Sequence, residues 1–80
     1  MREKLSEVVA RLLGAKASEI SDDTDISSLN ETTLIMEALR AVGYAPGGAG
    51  GFPKTFGEFV AKTEEVERLS TRLNKIIIQL

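Results

Sequence analysis

Apolar residues recur at helical spacing in the first thirteen positions. Leu5, Val8, Val9, Leu12 and Leu13 share one face, and Glu3, Lys4, Glu7 and Arg11 share the other. The pattern predicts an amphipathic helix, and Gly14 supplies a left-handed residue to stop it. A second helix is predicted to start after Asn30, whose side-chain carbonyl can accept from free amides of the first turn. Its expected apolar face is Leu34, Ile35, Ala38, Leu39, Ala41 and Val42, with Gly43 as its end. A third helix is predicted from Thr55, a cap with Glu58 three residues on as the partner of a capping box. Phe56, Phe59 and Val60 are expected to face the core.

Between the first two helices lies a long connection, Ala15 to Leu29, with room for a minor helix. A loop of this length in a small domain needs apolar anchors, and Ile20, Ile26 and Leu29 are the candidates. Tyr44 to Pro53, with four glycines and two prolines, reads as a mobile or tightly turned linker. It lacks the Lys-Ser/Thr ending and the preceding strand of a phosphate-binding loop. Beyond Thr63 the apolar pattern changes to heptads. Phe59, Val66, Leu73 and Leu80 recur every seven residues, with Leu69 and Ile76 between them and Ile77 widening the stripe. This seam has two physical outcomes. It folds back over the first two helices to enlarge a small core, the outcome favoured here, or it pairs with another helix and makes a dimer. The domain organisation is read as a body over 1–63 and an amphipathic extension over 64–80.

Composition narrows the function classes. With no cysteine and no histidine, the chain has no disulfide, thiol chemistry, common zinc site or histidine-based catalytic arrangement. A net charge of −2 gives no field to draw nucleic acid. The aliphatic run Ile76 to Ile78 is too short to span a bilayer. Glu7 and Arg11 interrupt the apolar run a signal peptide would need, so a soluble cytoplasmic protein is expected. Asp22, Asp23 and Asp25 do not form an EF-hand: counted from Asp23, the sixth and twelfth positions hold Ser28 and Leu34 rather than glycine and glutamate. Solvated turn chemistry is the simpler reading of that run, with Ser27 and Ser28 bonding local backbone.

Ile20 to Leu34, ISDDTDISSLNETTL, resembles the first loop and attachment turn of acyl and peptidyl carrier proteins. In that family an acidic turn leads to an apolar pair and then a Gly-x-Asp-Ser-Leu motif, whose serine carries a phosphopantetheine arm. Counted from Leu29, the motif falls on Asn30-Glu31-Thr32-Thr33-Leu34, with Thr33 at the serine position. Lys54 to Thr63, KTFGEFVAKT, is similar to the family's last helix. The resemblance covers roughly Val8 to Thr63. It implies an all-α, small carrier-protein-like helical bundle with a long first loop and an extended C-terminal helix.

It also implies a function. A threonine hydroxyl is secondary, and its extra methyl restricts the rotamer near the helix start. Transfer of the arm depends on close placement of the reacting oxygen, so Thr33 is expected to stay unmodified. The resemblance thus implies a non-catalytic interaction module in a polyketide, peptide or fatty-acid type pathway, without a cofactor. Its partners would be biosynthetic enzymes or other carrier-recognising proteins, met through Leu34, Met36, Glu37 and Arg40. One alternative is a working carrier with phosphopantetheine on Thr33. The other is a structural module dimerising through Val66 to Leu80.

Overall fold

The computed structural model describes residues 1–47 and 50–79, with side chains as far as residue 73. It is all-helical, with α1 Arg2–Leu13, a 3-10 turn Ala17–Glu19, α2 Glu31–Val42 and α3 Phe56–Gln79. Each of the first two helices ends where its glycine allows. Gly14 (φ 73°) and Gly43 (φ 81°) both take the left-handed conformation. At the end of α1 the Ala15 N–H reaches the Ala10 carbonyl at 2.9 Å, closing a Schellman turn that a side chain at Gly14 would strain.

The core draws on every segment. Leu5 and Val9 come from α1, Ile26 from the first loop, Leu34 and Ala38 from α2, and Phe56, Phe59 and Val60 from α3. Val8 and Ala10 of α1 are also buried. Of the three loop anchors, Ile26 is 1% exposed, whereas Ile20 and Leu29 are only half-buried against the cluster. Thr63 is the buried polar residue of α3, and its hydroxyl donates to the Phe59 carbonyl at 2.7 Å. That bond removes the penalty of an unpaired buried hydroxyl.

Ile26 can reach the core because the first loop is stapled to the start of α3. The Ile26 N–H donates to the Lys54 carbonyl and the Phe56 N–H to the Thr24 carbonyl, both at 2.9 Å. These bonds flank an isolated antiparallel bridge between Asp25 and Thr55. The Gly57 N–H then donates to the Asp22 carbonyl at 3.0 Å. A free amide of the first turn of α3 is thereby satisfied by the acidic loop.

The capping box differs in one partner from its expected form. The Glu58 N–H points at the Thr55 hydroxyl at 3.4 Å, but the Glu58 carboxylate accepts from the Lys54 N–H (3.3 Å), not from that of Thr55.

The glycine-rich linker is docked along its described part. Pro46 and Pro53 are buried, and Phe52 packs against the core with its ring 6.5 Å from that of Phe59. Lys62 of α3 donates to the Gly51 carbonyl at 2.8 Å.

Two sequence expectations change. Leu39, assigned to the apolar face of α2, is 48% exposed. It lies about 100° round the helix from Ala38, beyond the edge of the buried stripe. The extension does not fold back over α1 and α2. α3 is one unbroken helix, and Leu69 and Leu73 are 51% and 60% exposed. No glycine or proline follows Gly57, so nothing in the sequence turns the chain around. Ile76, Ile77 and Leu80 of the seam lie outside the residues whose side chains are described.

Candidate functional site at the start of the second helix

Asn30 holds an extended conformation (φ −69°, ψ 125°), and its side-chain oxygen accepts from the Thr33 N–H at 3.1 Å. The Thr33 hydroxyl also lies toward that oxygen, at 3.5 Å, the outer edge of a hydrogen bond. Thr33 thus sits in the first turn of α2 with its amide, and more weakly its hydroxyl, turned back on the cap. Asn30, Glu31, Thr32 and Thr33 are all exposed. Glu31 places negative charge at the positive end of the helix.

The next turns divide the proposed contact residues. Leu34 is fully buried, so it belongs to the core and no partner can touch it. Glu37 is half-buried and joins two helices, pairing with Arg11 of α1 and, at 3.5 Å, with Arg40 one turn on. Met36 is 55% exposed, and Arg40 also faces solvent. The surface actually offered by α2 is therefore Thr32, Thr33, Met36, Leu39 and Arg40, in which Leu39 replaces Leu34. Leu34 and Ala38, four residues apart, mark the centre of the buried stripe, and no signal in the sequence separates Leu34 from Leu39.

Two shallow grooves flank this helix. One runs between α1 and α2 and is lined by Lys4, Glu7, Arg11, Glu37 and Arg40. The other lies where the first loop meets the glycine-rich segment, lined by Ile26, Leu29, Glu31, Phe52, Pro53 and Lys54.

The acidic turn has a structural task. Its backbone caps α3, and the side chain of Asp22 pairs with Arg2, whose guanidinium lies 5.1 Å from the centre of the Phe56 ring. Arg2 is the residue that sequence patterning overlooked, since it ties α1, the loop and α3 together. Asp25 forms a local turn, accepting the Ser27 hydroxyl at 2.6 Å and the Ser27 N–H at 2.8 Å. Ser27 therefore bonds a carboxylate rather than the backbone. Among the described residues no group of three or more acidic side chains converges so as to hold a metal ion.

The two bonds from Ser27, hydroxyl first, hold the Asp25 carboxyl below its ordinary value. Because the folded value is depressed, the turn is favoured above the unfolded carboxylate range and is lost as pH falls through the lowered folded value. Carboxyl NMR titration of Ser27→Ala is expected to move Asp25 back up toward the ordinary range. An unchanged midpoint would show that another group sets it.

Among the described residues no helix is long and apolar enough to cross a membrane. Searches against protein-family profiles, curated proteins and solved structures find no match to this chain.

Proposed function

We propose that this chain is a carrier-like domain without the attachment serine, a non-catalytic interaction module in a cytoplasmic pathway of the polyketide, peptide or fatty-acid kind. The observation that carries the reading is the exposed first turn of α2, where Thr33 stands at the position the carrier resemblance assigns to the serine. Its amide and hydroxyl face the Asn30 cap. Supporting it are the order of elements and the long loop anchored by Ile26. Partner enzymes are met by the exposed side of α2, through Met36, Leu39 and Arg40. Any one charge there contributes little, so recognition rests on shape and on the two apolar side chains.

The protein is expected to keep its mass when incubated with coenzyme A and a broad-specificity phosphopantetheinyl transferase. Intact-mass spectrometry reads this directly. An adduct of phosphopantetheine mass mapping to Thr33 overturns the module and makes the chain a working carrier. Thr33→Ser then separates two causes. Modification of that variant means that only the nucleophile has changed. A variant that still resists has also lost recognition through Asn30 or Thr32.

A further inference from the structure

We draw no further inference here: the strongest candidate, the exposed face of Leu69 and Leu73 on the half of α3 beyond Val66, is an unpartnered apolar face, and nothing in the structure shows what covers it.

Discussion

Ile26→Ala is expected to lower the unfolding free energy by about 2–5 kcal/mol, the range for truncating a fully buried aliphatic side chain. Ile26 is 1% exposed, and it is the loop residue that joins the cluster of Leu5, Val9, Leu34 and Phe59. Its removal leaves a cavity in a core drawn from all three helices. The backbone at Ile26 and at Thr24 before it is stapled to Lys54 and Phe56, which limits how far the loop can move in to fill the space. Small domains have total stabilities of only about 5–15 kcal/mol, so the upper end of this range would unfold much of the population. Chemical denaturation of the variant measures the loss. Ile20→Ala serves as the comparison: a half-buried side chain should cost clearly less. Equal losses, or a loss near zero at Ile26, would show that the loop is not docked as described. The position of Asn30 and Thr33 relative to the core would then lose its physical basis.

Gly57→Ala is expected to destabilise by about 1–3 kcal/mol, the usual cost of forcing extra atoms into a packed site. Helix propensity alone predicts the opposite, because alanine is favoured over glycine by about 1 kcal/mol in a helix. The contradiction is what makes the experiment informative. A Cβ on Gly57 would stand 3.0 Å from the Cβ of Asp22, 3.1 Å from its carbonyl oxygen and 3.3 Å from its Cα. Two of those three atoms are backbone, so relief requires moving the acidic loop. That movement would stretch the bond from the Gly57 N–H to the Asp22 carbonyl and disturb the Arg2–Asp22 pair. A gain in stability on Gly57→Ala would show that the loop yields easily and that the cap on α3 is dispensable.

The two substitutions also separate what was readable from the sequence from what was not. The helices were legible because their signals are local. Asn30 caps through a side chain three residues from its donor, Gly14 and Gly43 end helices by their own backbone freedom, and Leu5, Val8 and Val9 mark a face by spacing alone. The candidate site was legible only in part. Thr33 was located by counting from Leu29, and its exposure follows from where α2 begins. Leu39 moves from the expected apolar face to the surface, and Leu34, expected both on that face and among the contact residues, is core alone, because composition does not say how wide a stripe the neighbouring elements will cover.

The remaining features depend on residues far apart in the chain. Gly57 is set apart from other residues of a helix start only by Asp22 packed against it, and the acidic turn, which reads from the sequence as solvated, gains its task where the Asp22 carbonyl meets the Gly57 amide. The role of Arg2 depends on Asp22 and Phe56 together. The seam on α3 was evident from its heptads, but spacing is indifferent to whether a stripe turns inward or outward. Tertiary structure decided it by length: α1 and α2 are too short to cover a 24-residue helix, so Leu69 and Leu73 are left facing water in the single chain.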